Sequence, residues 1–207
     1  MFRMTRFFSQ TAPLAILLTG ACAATHDKKQ DKPQPPAGAP SAEMAMDEFM
    51  DKPGPEQAML RKDVGNWDAS FKMWMDPKQP PMESKATYTS TMFGDFWLQS
   101  EYKGDFMGKP FVGHDLLGYD LHRKKFIGSW CDNTSSQMMI FEGTYDPATR
   151  TLTTKSEMMD PMNPGHMVKF TNKTVWKSDD LKIYTAHEDH GEGKEWDGMV
   201  IEFTRSK

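Results

Sequence analysis

The segment that decides the fold reads GNWDASFKMWMD and covers residues 65–76. Apolar side chains stand at every second position of this segment, and polar side chains fill most of the positions between them. The apolar set is Trp67, Ala69, Phe71, Met73 and Met75. Because successive side chains of a β-strand point to opposite faces, this alternation predicts a strand with one buried face.

A short helix is predicted immediately before this strand, over residues 55–65 (PEQAMLRKDVG). Pro55 suits the first turn of a helix, and Gly65 suits the left-handed position that ends one. The apolar residues Met59, Leu60 and Val64 would share one face of this helix. We therefore expect the helix to pack on the strands that follow it.

The alternation recurs along the rest of the chain. Further strands are predicted over about residues 83–93, 95–103, 110–121, 124–132, 137–145, 150–160, 166–176, 181–189 and 196–205. Turn-forming residues such as Asp146-Pro147 and Asn163-Pro164-Gly165 separate them. About ten short strands at this spacing, with no helix long enough for a parallel crossover, predict an all-β antiparallel protein.

We expect these strands to close into an up-and-down barrel over residues 55–207, with the short helix covering one mouth. Closure removes the exposed edges that an open sheet of this many strands would leave. A sandwich of two sheets fits the same alternation, because alternation alone does not distinguish a sandwich from a barrel.

Several fragments between residues 55 and 206 occur in an order and at a spacing that match a known family. They are Gly65-Asn66-Trp67, Pro80-Pro81-Met82-Glu83-Ser84, Ser100-Glu101-Tyr102-Lys103-Gly104, Met107-Gly108-Lys109-Pro110-Phe111-Val112-Gly113, Leu117-Gly118-Tyr119-Asp120, Gly128-Ser129-Trp130-Cys131-Asp132 and Gly143-Thr144-Tyr145-Asp146. Together they resemble the bacterial family catalogued as domain of unknown function 1579. The resemblance implies a lipocalin-like barrel. It implies no activity, because none is established for that family.

The amino terminus predicts export. Residues 1–21 begin with a basic segment (MFRMTRFF) and continue with an apolar run too short to span a bilayer, as in a signal peptide. The run stops at Cys22 behind the small residues Gly20 and Ala21, which predicts a lipoprotein-type signal with lipid attachment at Cys22. Ordinary cleavage after Ala23, at an A-x-A site, is the alternative.

Residues 22–54 are rich in Pro, Lys, Asp and Ala and hold few large apolar side chains. Such a stretch buries too little apolar surface to offset the entropy of ordering it. We therefore predict a disordered tether that holds the barrel off a membrane. The expected location is the cell envelope, facing the periplasm.

Composition and motifs argue against several function classes. The net charge is −4, and no basic stripe is present, so nucleic acid is a poor partner and membrane contact is expected through the anchor only. The two cysteines, Cys22 and Cys131, form neither a disulfide framework nor a zinc site. No G-x-S-x-G, H-E-x-x-H, phosphate-loop or dinucleotide motif occurs, so we expect a protein that is not an enzyme.

Two segments invite a cofactor interpretation. His187 or His190, in the segment HEDH, would be candidate axial ligands of haem, although alternation on a strand turns the four residues of that segment to two opposite faces. The methionines and histidine of residues 158–167 are candidate copper ligands. The interpretation we favour uses neither group: the thioethers line or fill an apolar interior, without a metal or a cofactor.

The function hypothesis follows from the barrel. A closed barrel of this strand number can leave a cavity, so we expect it to bind a small apolar or amphipathic ligand inside. Alternation places eight residues on the interior wall: Trp67, Phe71, Met73, Phe96, Leu98, Tyr119, Trp130 and Met138. A filled barrel, acting as a non-catalytic interaction or structural protein of the envelope, is the alternative. An enzyme that uses the interior is the third.

Overall fold

The computed structural model describes residues 49–160 and 163–207. The predicted signal peptide, Cys22 and nearly all of the predicted tether lie outside these residues. The described part holds a helix, α1 (Pro55–Arg61), and ten strands. The strands are β1 (Gly65–Met73), β2 (Met82–Phe93), β3 (Trp97–Phe106), β4 (Lys109–Asp120), β5 (Lys125–Asp132), β6 (Met139–Asp146), β7 (Thr151–Met159), β8 (Met167–Trp176), β9 (Leu181–Asp189) and β10 (Glu195–Arg205). None of the described helical segments has the length and apolar character needed to cross a bilayer.

The ten strands form a closed antiparallel barrel. Each strand pairs with its neighbours in sequence, and β1 closes the sheet by pairing with β10 from Trp67↔Arg205 to Met73↔Met199. The up-and-down barrel predicted from alternation is therefore confirmed, and the sandwich alternative is wrong. Closure satisfies the backbone groups that would otherwise stand along two free edges.

The pattern of burial follows the pleat of the strands. In β2, Tyr88 and Ser90 are buried while Lys85 and Thr87 are exposed, and in β1 Trp67 is completely buried. Interior side chains thus alternate with exterior ones around the barrel, as the period of two predicted.

Two details at the ends of elements differ from the expectation. The helix ends at Arg61 and does not reach Gly65, because the next three backbone N–H groups donate to carbonyls three residues back, in a tighter turn that leads into β1. The Arg205 guanidinium donates to the carbonyls of Lys62 and Val64 in this turn. Val64 is consequently exposed and does not pack on the barrel. Met75 is exposed too, since β1 ends at Met73.

Helix α1 closes one end of the barrel. Leu60 is buried there and belongs to an apolar cluster with Leu98, Leu117, Phe126 and Leu152. Gln57 is also fully buried, and its Nε2 donates to the carbonyl of Tyr119 at 3.2 Å. Burying a leucine side chain of this kind stabilises the fold by roughly 1.5–3 kcal/mol. The mouth covered by a helix is therefore the one where β1 begins, and no helix within residues 49–160 and 163–207 covers the opposite mouth.

Candidate ligand-binding cavity

A cavity of about 370 Å³ occupies the barrel interior. Asp63 and Trp176 border it near the helix, and Phe106, Asp132 and Met139 border it near the opposite end. The cavity therefore runs from beneath α1 towards the opposite mouth.

Aromatic side chains form one wall of the cavity. The rings of Phe111 and Trp130 are stacked with centroids 6.4 Å apart, and Tyr102 meets both of them edge-on. The Trp130 ring fits because residue 113, beside it on β4, is glycine: a Cβ atom at Gly113 would lie 2.3 Å from the ring. This wall offers a ligand flat apolar contact surface.

A buried ion pair lies beneath the helix end of the cavity. The Lys182 Nζ lies 2.5 Å from Asp63 Oδ2, and Trp176 Nε1 donates to Asp63 Oδ1 at 3.0 Å. The ammonium also stands 4.6 Å from the ring centroids of both Trp67 and Tyr88, close enough for cation–π attraction. Burial lowers the pKa of Lys182, and the carboxylate of Asp63 opposes that shift.

A second carboxyl group, Asp115 on β4, also borders the cavity. The Tyr88 hydroxyl donates to Asp115 Oδ2 at 3.3 Å. Burial raises the pKa of Asp115 to about 7, although the charge of Lys182 acts in the opposite direction. The pKa of Tyr88 is raised well above its usual value, chiefly by burial, so this phenol keeps its proton.

Polar side chains on β7 and β8 face the cavity from another side. Thr154 and Asn172 stand opposite each other in the register of these strands, and both are buried. Asn172 is 4% exposed, and its Oδ1 has no hydrogen-bond partner among the described residues. A buried acceptor without a partner costs free energy unless a ligand or a water supplies a donor.

The structure brings four of the eight predicted wall residues into the cavity lining: Phe71, Met73, Leu98 and Trp130. A fifth, Trp67, is completely buried next to the ion pair but does not line the cavity. Its Nε1 donates to the carbonyl of Asp63 at 3.0 Å, and Arg205 covers its ring at 4.1 Å. Trp67 thus holds the helix end of the barrel together.

The prediction of a wall position is wrong for Phe96 and Met138, while Tyr119 lies in the barrel interior as predicted but does not line the cavity. Phe96 lies in the turn before β3, because that strand begins only at Trp97. Tyr119 packs on Phe126 in the cluster beneath α1. Met138 precedes β6 and is 60% exposed, and its neighbour Met139 lines the cavity instead.

The polar residues of the site were missed by a search for apolar alternation. Asp115 and Lys182 each occupy an inward position of a predicted strand, where the alternation predicts an apolar side chain. A charged residue at such a position was the sequence signal that could have revealed them. An ionisable residue at an interior position of a strand marks either a buried pair or a binding group.

The histidines and methionines considered as cofactor ligands lie elsewhere. The His187 Nδ1 is hydrogen-bonded to Asp197 Oδ1 at 3.0 Å, and the His190 ring stacks on Trp196 with ring centroids 4.3 Å apart. Neither histidine lines the cavity. Met159 and Met167 are exposed partners in the β7–β8 register, while residues 161 and 162 lie outside the described part of the chain.

Comparison with known families identifies the chain. A family model described as "Protein of unknown function (DUF1579)" matches residues 52–205, which includes α1 and all ten strands. The chain belongs to the DUF1579 family. The match agrees with the resemblance seen in the sequence fragments. No curated protein matches this DUF1579 chain.

A comparison with solved structures finds a similar fold for this DUF1579 barrel in a mycobacterial protein. Rv2717c from M. tuberculosis matches with a TM-score of 0.56 at 14% identity, covering 75% of this chain and 100% of that one. The S-type phycobiliprotein lyase CPES from Guillardia theta matches with a TM-score of 0.49 at 11% identity, covering 75% of this chain and 99% of that one. At 14% identity the similarity to Rv2717c concerns the lipocalin-like fold alone.

Proposed function

We propose that this DUF1579 protein is a non-catalytic binding protein that takes up one small apolar or amphipathic molecule inside its barrel. The observation that carries the proposal is the cavity of about 370 Å³, which a filled barrel would lack. Its size falls in the range of roughly 300–1,000 Å³ that is typical of small-molecule sites.

The composition of the wall supports the same proposal. Aromatic and aliphatic side chains make up most of the lining, and a few polar groups, among them Asp115, Thr154 and Asn172, interrupt it. An apolar wall provides affinity by burying ligand surface, and a small number of polar groups fixes its orientation. The expected occupant is therefore a molecule that is apolar over most of its length.

The proposed location is the cell envelope, on the periplasmic side, with a lipid anchor at Cys22. The basic start, the short apolar run and the small residues before Cys22 support it. An anchored barrel would take up or release its ligand near a membrane, where apolar molecules are concentrated.

Mass spectrometry of the purified protein tests the binding role. Protein purified without detergent is analysed first under native conditions and then after organic extraction. We expect a small molecule to co-purify in a one-to-one ratio with the folded chain and to leave on denaturation. A chain that shows only its own mass, and that takes up no member of a panel of apolar compounds, would contradict the proposal.

An interaction role is the second candidate, and one surface feature favours it. Among the described residues, six apolar side chains are exposed around the mouth opposite α1: Met75, Met107, Met138, Ile140, Met159 and Met167. Exposed apolar groups gathered at one end of a molecule are typical of contact surfaces. If the interaction role is correct, replacing three of these methionines with glutamine should abolish binding of a protein partner. If the small-molecule role is correct, the same variant should still bind its ligand in the cavity.

A further inference from the structure

The ionisable groups that line the cavity are mostly acidic. Among the described lining residues there are four aspartates and one lysine: Asp63, Asp105, Asp115, Asp132 and Lys182. The lysine is the only group of this set that would attract an anion. The charge of the cavity therefore depends on whether Lys182 is free to meet a ligand.

Lys182 is fully engaged by the protein. Its ammonium bonds Asp63 and stands within 4.8 Å of the ring centroids of Trp67, Tyr88 and Phe203, and the side chain is 4% exposed. Removing it from Asp63 would leave a buried carboxylate without its cation, which is strongly unfavourable. The opposite charges of Lys182 and Asp63 cancel, so the described lining offers no positively charged group that could bind an anionic ligand.

Two acceptors in the wall still have capacity for a donor. Asp115 receives a hydrogen bond on Oδ2 from Tyr88, and no described residue donates to its Oδ1. The Oδ1 of Asn172, on the other side of the barrel, has no described partner at all. Asp132, in contrast, accepts from Trp130 Nε1 and from Thr134, so it is already occupied.

We propose that the bound molecule carries a neutral or positively charged head group that donates hydrogen bonds, such as an amine or a hydroxyl, and that Asp115 is the residue that anchors it. This inference rests on the proposed binding function and adds the class of ligand. An amine would form a charge-assisted hydrogen bond with Asp115. A carboxylate would bring a further negative charge into a cavity whose described lining is acidic and holds no free cation.

The titration of Asp115 agrees with this assignment. Burial raises its pKa to about 7, so the carboxyl ionises readily beside an amine and can stay protonated beside a hydroxyl. Both forms accept hydrogen bonds from a ligand.

Three ligands that share one alkyl chain test the inference: decylamine, 1-decanol and decanoate. Their affinities are measured at pH 8 by displacement of the uncharged fluorophore N-phenyl-1-naphthylamine. We expect decylamine to bind at least about tenfold more tightly than decanoate, with decanol between them. Decanoate binding as tightly as decylamine would overturn the inference.

Asp115→Asn and Asp68→Asn serve as a matched pair of variants. Asp115 borders the cavity, whereas Asp68 is exposed on the outer face of β1. Asp115→Asn should weaken decylamine about tenfold and leave decanol within about threefold, and Asp68→Asn should change neither. Equal decylamine affinity in all three proteins would overturn the role of Asp115.

The outcomes separate this inference from the proposed function. If the fluorophore binds saturably but the three head groups do not differ, the barrel binds ligands and the head-group class is wrong. If neither the fluorophore nor any of the three decyl compounds binds, the proposed binding function fails, and the inference fails with it.

Discussion

Lys182 and Asp63 form an ion pair, 2.5 Å from Nζ to Oδ2, with side chains that are only 4% and 5% exposed. Asp63 lies in the short segment between α1 and β1, and Lys182 lies in β9, 119 residues further along the chain. The pair therefore fastens the segment between α1 and β1 to β9, which is separated from β1 only by β10. It also keeps Lys182, the one lysine among the described lining residues, from contact with a ligand.

Replacing Lys182 with methionine should destabilise the protein by about 3–5 kcal/mol, because it leaves a buried carboxylate without a counter-charge. The free energy of unfolding in urea measures the loss. Arg150→Met is the control, since the Arg150–Asp179 pair is 41% and 79% exposed and should contribute less than about 1 kcal/mol. Adding Asp63→Asn to Lys182→Met should restore part of the stability. A loss no larger than that of the control would show that the pair does not hold the closure.

Stability should fall as pH rises through the titration of Asp115. The carboxyl faces Tyr88, Tyr184, Asp63 and Lys182, and its folded-state pKa of about 7 exceeds the ordinary value of 3.8. Between pH 3.8 and pH 7, Asp115 stays protonated in the folded state but ionises in the unfolded chain. The free energy of unfolding therefore falls as pH rises through this range and levels off above pH 7.

The measurement is the difference in unfolding free energy between wild type and Asp115→Asn, taken from pH 5 to pH 8, since other groups cancel in that difference. Relative to the variant, wild type should lose about 3 kcal/mol over this range. This loss follows from about 1.4 kcal/mol per pKa unit, acting over the roughly two pH units between pH 5 and the folded-state pKa of about 7. A difference that stays constant with pH would show that Asp115 titrates normally.

Trp130→Ala should weaken ligand binding about tenfold, because it removes a ring that lines the cavity and stacks with Phe111. Trp74→Ala is the control, since Trp74 follows the end of β1 and does not line the cavity. Isothermal titration with decanol compares the two variants with wild type. An equal effect of both substitutions would indicate a change in stability and not a lost contact.

The strands could be predicted from the sequence because period-two alternation reports directly on a barrel with a buried and an exposed face. For β9, the predicted range 181–189 is the range observed, Leu181–Asp189. The ends of strands were predicted less accurately, because the turns determine them. The predicted strand began at residue 137, whereas β6 begins at Met139. The prediction therefore placed Met138 in the interior, where the structure has Met139. A shift of one residue turns a side chain to the other face.

The polar part of the site could not be predicted, because it depends on contacts between distant segments. The sequence places Asp115 on the same face as Phe111 and Leu117, but it does not show that Tyr88 reaches that carboxyl. Likewise no local pattern pairs Asp63 with Lys182. The pairing register of all ten strands in the closed barrel brings these groups together, and this register depends on the whole fold.

Cys22→Ala should release the protein from membranes. With the native sequence, the small residues before Cys22 favour lipid attachment, so wild type should enter the detergent phase in a phase-separation assay and the variant should stay in the aqueous phase. Intact-mass analysis of the amino terminus distinguishes a lipid-modified cysteine from a free one. If both proteins stay in the aqueous phase, the anchor is wrong, and cleavage after Ala23 becomes the better explanation.

The central claim is that the barrel interior binds a ligand, and a cavity-blocking variant tests it most directly. Ser84 lines the cavity, while its neighbour Lys85 points outwards on the same strand. Wild type, Ser84→Trp and Lys85→Trp are titrated with N-phenyl-1-naphthylamine, and melting temperatures are recorded with and without it. We predict saturable one-to-one binding and a raised melting temperature for wild type and Lys85→Trp, because a ligand that binds only the folded state stabilises it, and loss of both in Ser84→Trp. Equal binding by all three proteins, or binding by none of them, would contradict the claim.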